Sequence, residues 1–260
     1  MIVARRFEGK VVIVTGAASG LGLDAAERLS SEGASLILVD VHGGHLEAVK
    51  DKLSVDGSII AVTADVSKEE DVDRYVKACL DKFGRIDGFF NNAGIEGQQN
   101  LTEDYGSGEF DRVLKINLNG VFFGLSAVLK VMRQQRDGAV VNTASVGGIR
   151  GIGNQSAYAA SKHGVVGLTR NSAVEYGQFG IQINAIAPGA IMTKMVESSL
   201  RQIGGDNWLR VGEDFVKSNP MLRFGTTKEV SALVAFLLSG EARFINGATI
   251  PIDGGQSYKY

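Results

Sequence analysis

The chain has 260 residues, 44% of them hydrophobic, enough to bury a large core in one α/β domain spanning residues 1–260. Its 27 basic and 29 acidic side chains nearly cancel to a formal charge of -2, which leaves no electrostatic footprint for a nucleic-acid partner. The lone cysteine, Cys79, excludes an internal disulfide; it shares a helical pattern with Tyr75, Val76, Leu80 and Phe83 and reads as core.

The opening Met1-Ile2-Val3-Ala4-Arg5-Arg6 runs straight into Glu8 and Lys10, and no stretch of about 18 apolar residues follows, so neither a leader nor a membrane partner is expected and the setting reads as cytoplasmic. The first short apolar run, Val11 to Thr15, reads as a strand. It opens into Thr15-Gly16-Ala17-Ala18-Ser19-Gly20-Leu21-Gly22, a glycine-rich turn, and then a helical pattern from Leu21 to Glu32. Glycines in a turn between strand and helix let a pyrophosphate approach backbone N–H groups, where the helix dipole favours negative charge. Gly16, Ser19, Gly20, Leu21 and Gly22 are therefore candidate cofactor contacts.

Ser35 to Asp40 is a second strand. It ends on an acid at the spacing from Gly16 where a carboxylate that accepts from the adenosine ribose is expected. The competing reading of Asp40 is a helix cap before His42 and Gly43. Neither Ser19 nor Val41 supplies a cation for a 2′-phosphate, which favours NAD(H) over NADP(H) as the cofactor. Further strands are expected at Ser58 to Thr63, Ile86 to Asn91, Ala139 to Ala144, Ile181 to Ala187 and Ala248 to Ile252, and helices at Lys68 to Lys82, Phe110 to Gln135, Ser156 to Tyr176 and Lys228 to Leu238. The strands are apolar almost throughout, as when both faces are covered, so the fold class is α/β: a doubly wound, mostly parallel sheet of Rossmann type in a single domain. Residues 189–219 lack a strong period and read as a substrate loop.

Tyr158 and Lys162 stand one helical turn apart on one face. A nearby ammonium favours the phenolate, so Lys162 is expected to tune Tyr158 downward for proton transfer to a carbonyl oxygen or from an alcohol. Ser145 follows the fifth strand at the carboxyl edge, where it can hydrogen-bond a substrate oxygen or cap a turn before Gly147-Gly148. Asn117 lies mid-helix, an unfavourable place for an amide without other employment. His42, His45 and His163 show no ligand spacing, and no metal is expected.

The glycine turn, Asn91-Asn92-Ala93-Gly94, Asn117, Ser145 and Tyr158-x-x-x-Lys162, in this order, resemble the short-chain dehydrogenase/reductase family over essentially the whole length. The resemblance implies an oxidoreductase of CH–OH and C=O groups, with Asn117, Ser145, Tyr158 and Lys162 as its catalytic set and Asn117 holding a water between Lys162 and solvent. It places Asp65 and the N–H of Val66 at the adenine, and Asn91, Ala93 and Gly94 beside the cofactor, with Asn91 also tying strands together. Pro188, Gly189, Ile191 and Thr193 would border the nicotinamide. It also implies a homotetramer, although the proline often found where Thr226-Thr227-Lys228 opens the last helix is missing.

For the substrate, a small-molecule ketone or secondary alcohol, Val146, Ile149 and Met192 join Ser145 and Tyr158 in an apolar cleft that suits a compact cyclic or aryl ketone or diketone. Glu96 either reaches that cleft or is a solvated loop acid, and Trp208 either lines substrate or covers the core. Two rival activities are an NADP-dependent 3-ketoacyl reductase, which Asp40 argues against, and a non-catalytic NAD(H) sensor, which the retained catalytic set argues against.

Overall fold

The computed structural model describes residues 5–53, 57–217 and 219–258. Met1–Ala4, read above for a leader, and Ser218, inside the expected loop, lie outside the described residues. Seven strands form one sheet: β1 (Val11–Thr15), β2 (Ser35–Asp40), β3 (Ile59–Thr63), β4 (Gly88–Asn91), β5 (Gly138–Thr143), β6 (Ile181–Pro188) and β7 (Thr249–Ile252). Their order is β3-β2-β1-β4-β5-β6-β7, and every neighbouring pair is parallel. Between β1 and β4 the winding reverses, which opens a crevice at the carboxyl ends of the strands.

Alternate side chains feed two cores, which is why the strands are apolar on both faces. Ile13, Ile37 and Val39 point to one, where Tyr75, Val76 and Cys79 of α3 (Glu69–Phe83), Leu125 and Val128 of α5 (Gly120–Gln135) and Val165 of α6 (Ser156–Tyr176) cover them. Val12, Val14, Leu36 and Leu38 point to the other, beneath Ala26 and Leu29 of α1 (Gly20–Ser31), Leu46 of α2 (Gly43–Leu53) and Val230 and Val234 of α9 (Thr227–Leu238). Burial pushes the Cys79 thiol up to about 12, as befits a core residue.

Three segments differ from the sequence expectation. The helix α2 begins with two glycines and buries only Leu46 and Val49, too brief an apolar period to stand out. The expected helix over Phe110 to Gln135 is instead α4 (Ser107–Leu114), a π-helical turn (Lys115–Asn119) and α5. By length and composition this continuous run could cross a bilayer, but half of its apolar window is buried inside the protein, as in a core helix. Finally, residues 189–219 are a correction: they hold two helices, α7 (Lys194–Gly204) and α8 (Trp208–Val216). Thr193 caps α7 by accepting from the Val196 N–H at 3.3 Å, and Leu200 is the one residue of α7 that is fully buried, so little sequence period betrays it. At the last helix, Thr226 and Glu229 form a reciprocal capping box, which supplies the start signal in place of a proline.

Candidate active site

The carboxyl ends of the strands open into a cleft of about 400 Å³, in the range of small-molecule sites. Sixteen of the expected contacts line it: Gly16, Ser19, Gly20, Leu21, Asp40, Asp65, Val66, Ala93, Gly94, Ser145, Tyr158, Lys162, Pro188, Gly189, Ile191 and Thr193. Gly22, Asn91, Glu96, Asn117, Val146, Ile149 and Met192 do not.

At the β1–β2 end the walls are mostly backbone. A Cβ on Gly22 would come within 2.1 Å of the Gly16 carbonyl oxygen, so helix α1 reaches the turn only because that position is glycine. Ser19 precedes α1 without a side-chain cap, and no acid occupies the first turn, in contrast to α3, which opens with Glu69, Glu70 and Asp71. The N–H groups of α1 are thus left to another anion, and a dinucleotide pyrophosphate fits there. The Asp40 carboxylate accepts from the Ala18 N–H at 3.1 Å and from the His42 N–H at 3.0 Å, so it both braces the glycine turn and faces the cleft. Among the described residues, the only lysines or arginines lining the cleft are Lys162 and Lys194, neither on the turns after β1 and β2. Asp65 accepts from the Ser67 N–H at 3.0 Å and faces the same end beside Val66.

In the middle, a buried network ties β1, β4 and β5 together. Thr15 Oγ1 accepts from the N–H groups of Asn92 and Ala93 at 2.9 and 3.0 Å, and the Asn92 amide donates to the Thr15 carbonyl at 3.0 Å. Thr143 Oγ1 donates to Asn92 Oδ1 at 3.1 Å. Asn91, buried rather than facing the cleft, donates to the Val121 carbonyl at 3.0 Å and to Asn142 Oδ1 at 3.2 Å, the tie between strands that the resemblance implies. Thr15 and Thr143 were not among the sequence candidates; a hydroxyl ending an apolar strand at the carboxyl edge is the signal that could have found them.

At the β5–β6 end, Ser145 caps the turn Val146–Gly148 by accepting from the Gly147 N–H at 3.1 Å, and its hydroxyl lies beside that of Tyr158. The turn-capping reading of Ser145 is thus seen, and its hydroxyl stands at the cleft. Lys162, only 3% exposed, donates to the Thr143 carbonyl at 2.7 Å, and its Nζ lies 5.6 Å from the centre of the Tyr158 ring. Asn117 sits buried in the π turn, accepting from the Ile95 N–H at 2.8 Å and donating to the Ile95 carbonyl at 2.7 Å and to Ser161 Oγ at 3.2 Å. A Cβ on Gly94 would lie 3.0 Å from Asn117 Oδ1 and 3.5 Å from Lys162 Nζ, so these two groups converge across the glycine.

Burial pushes Lys162 down to about 8. It pushes Tyr158 up to about 12, opposed by the neighbouring Ser145 hydroxyl and reinforced by the charge of Glu96. This corrects the expectation that Lys162 lowers Tyr158: desolvation governs, and the lysine's nearest polar partner is a carbonyl. At neutral pH both groups hold their protons.

The remaining candidates stand apart from the cleft. Val146 is buried, Ile149 packs against the core, and Met192 is exposed, whereas Met195 and Val196 of α7 line the cleft. Glu96 is bonded by amides described below. Trp208 opens α8 with the Arg201 guanidinium 4.6 Å above its ring, outside the cleft lining.

A doubly wound parallel sheet with an open helix N-terminus after β1, an acid ending β2 and a serine, tyrosine and lysine converging at β5 defines an oxidoreductase that works with a nicotinamide dinucleotide. A family model described as Enoyl-(Acyl carrier protein) reductase matches residues 16–257, and the chain belongs to the short-chain dehydrogenase/reductase family. It is 58% identical to levodione reductase of Leifsonia aquatica over 98% of this chain and 97% of that protein. A crystal structure of levodione reductase superimposes with a TM-score of 0.96 at 58% identity, covering 98% of this chain and 100% of the other. Cyclohexanol dehydrogenase of Acinetobacter sp. (strain SE19) is 36% identical over 99% of both chains. NAD+-bound xylitol dehydrogenase superimposes with a TM-score of 0.90 at 36% identity, over 96% of this chain and 100% of that one. The chain is therefore an oxidoreductase acting between CH–OH and C=O groups.

Proposed function

We propose that the enzyme uses NAD(H) to interconvert a compact cyclic or aryl ketone, or diketone, and its secondary alcohol. The observation that carries the reading is the gathering of Ser145, Tyr158 and Lys162 in one cleft lining, with Lys162 and Asn117 converging across Gly94 at the carboxyl edge. Pro188, Gly189, Ile191 and Thr193 would hold the nicotinamide, which when bound would supply the hydride. Tyr158, protonated at neutral pH, donates the proton to the carbonyl oxygen, and Ser145 orients that oxygen and stabilises charge developing on it. Lys162, an ammonium below about pH 8, adds positive charge beside the phenol as its proton leaves. Asn117 holds the β4 loop at Ile95 and, on the family reading, would hold a water between Lys162 and solvent.

Asp40 supports NAD(H) over NADP(H): its carboxylate faces the cleft and, among the described residues, no cation on the turns after β1 and β2 lines it to receive a 2′-phosphate. The relatives named for levodione and cyclohexanol, and the apolar Ile95, Met195 and Val196 around the site, support a compact ring substrate. Phe122 and Val174 stand 51% and 85% exposed on α5 and α6, which supports the homotetramer read from the family.

A panel of ketones assayed with NADH and NADPH in parallel tests the reading. Cyclic and aryl ketones with NADH are expected to give the highest kcat/KM; a preference for NADPH, or for phosphorylated or carboxylated ketones, would overturn it.

A further inference from the structure

Among the described residues near the site, Glu96 is the acid whose carboxylate is held by side-chain amides rather than by a cation or by backbone N–H groups. Its Oε1 accepts from the side-chain amide of Gln155 in a short hydrogen bond and from that of Gln99 at 3.4 Å. Its Oε2 is buried without a partner, and no ion pair involves Glu96 among the described residues. A half-satisfied buried carboxylate is costly, and a solvated loop acid would not be placed so.

The partners lie on two elements that meet the cleft. Gln155, 7% exposed, immediately precedes α6, and its carbonyl accepts from the Ala159 N–H at 2.8 Å in the turn that carries Tyr158. The same junction is fastened by the Asn100 N–H donating to the Asn154 carbonyl at 2.9 Å and by Thr102 Oγ1 against Ser156 Oγ at 2.6 Å. On the other side, Gln99 donates to Ser199 of α7 at 2.5 Å, and the first residues of α7, Lys194, Met195 and Val196, border the cleft.

We infer that Glu96 is a positioning residue: through Gln155 and through Gln99 and Ser199 it holds the first turn of the Tyr158 helix and the cleft-bordering helix α7 in one arrangement, without itself touching substrate. This rests on Tyr158 being the proton donor. The titratable groups facing Tyr158 are Lys162 from its own helix and Glu96 from the β4 loop; those facing Glu96 are Tyr158 and Tyr105, the latter also beside Glu109 and Arg112. Glu96 therefore acts on Tyr158 twice, by placement and by its negative charge.

The test compares Glu96→Ala, Glu96→Gln, Gln155→Met and Tyr158→Phe with wild type, on a cyclic ketone with NADH and on its alcohol with NAD. Glu96→Ala is expected to lower kcat about ten-fold or more, since small misplacements of reacting groups are that costly, with NADH affinity within about two-fold. Glu96→Gln keeps an acceptor oxygen and is expected to recover most of kcat, while the alkaline limb of alcohol oxidation moves to lower pH because the charge that raises Tyr158 is gone. Should Glu96→Ala fail to fold, Gln155→Met, which removes the donor and keeps the bulk, is expected to show the same kcat loss. Normal kcat in Glu96→Ala, or in Gln155→Met where Glu96→Ala does not fold, overturns the inference; so does an unmoved pH limb in Glu96→Gln. If Tyr158→Phe retains its rate, the proposed chemistry fails first; if Tyr158→Phe is inactive and the Glu96 variants are normal, only the positioning role fails.

Discussion

At the β1–β2 end of the cleft the walls are mostly backbone: a glycine turn, an uncapped helix start and two carboxylates, Asp40 and Asp65, braced by backbone N–H groups. At the β4–β6 end they are side chains whose partners come from other segments of the chain, Lys162 on Thr143 and Asn117 on Ile95 and Ser161. The contrast follows from the work each end is proposed to do. A pyrophosphate is met by fixed N–H dipoles, which require close approach and therefore missing side chains. A proton transfer needs groups of chosen proton affinity, which burial and neighbouring dipoles provide.

Substitutions at the two ends should therefore fail differently. The largest effect is expected at the side-chain end. Lys162→Met should lower kcat by about 10²- to 10⁴-fold, the usual range for loss of acid–base assistance. The same variant should be more stable at neutral pH. With the folded value near 8 and the free value at 10.5, the unfolded chain binds more protons between those limits, so burying Lys162 destabilises below pH 8 and that penalty fades as pH rises. Wild type should thus gain on Lys162→Met in chemical denaturation between about pH 8 and 10, and a constant difference across that window would contradict the burial account.

At the backbone end, Gly22→Ala forces a Cβ against the Gly16 carbonyl and is expected to cost about 1–3 kcal/mol, read as weakened NADH binding and a lower Tm, with the pH profile of the residual activity unmoved. A pH shift would mean that the two ends are not separable. The mildest change is Asp40→Ala, expected to leave kcat near wild type while raising NADPH relative to NADH in kcat/KM by about ten-fold or more, because it removes a like charge and the ribose acceptor together. An unchanged cofactor ratio would leave Asp40 only its bracing contact with the turn.

The same contrast explains what was legible in the sequence. Backbone devices carry local signatures, so the glycine turn, the acid ending β2 and all seven strands could be read from spacing and composition. Strand ends such as Ile86, Ala144 and Ala248 fell a residue or two outside the sheet, where pairing gives way to isolated contacts such as the Ala248 N–H on Asn184 Oδ1. Tyr158 and Lys162 were legible because one helical turn separates them, but Lys162's bond to Thr143 and the Glu96 amides join distant segments and leave no local trace. The helices α2, α7 and α8 escaped because each buries only one or two residues, and the π turn at Asn117 because its apolar pattern continues unbroken into α5.

The proposed chemistry stands or falls on the proton carried by Tyr158. Ketone reduction by Tyr158→Phe, measured as NADH oxidation beside wild type with NADH affinity determined separately by fluorescence, tests it with least disturbance, since the ring remains and only the hydroxyl is lost. A fall in kcat of about 10²-fold or more with NADH binding within about two-fold is the expected result. A rate near wild type would contradict the assignment.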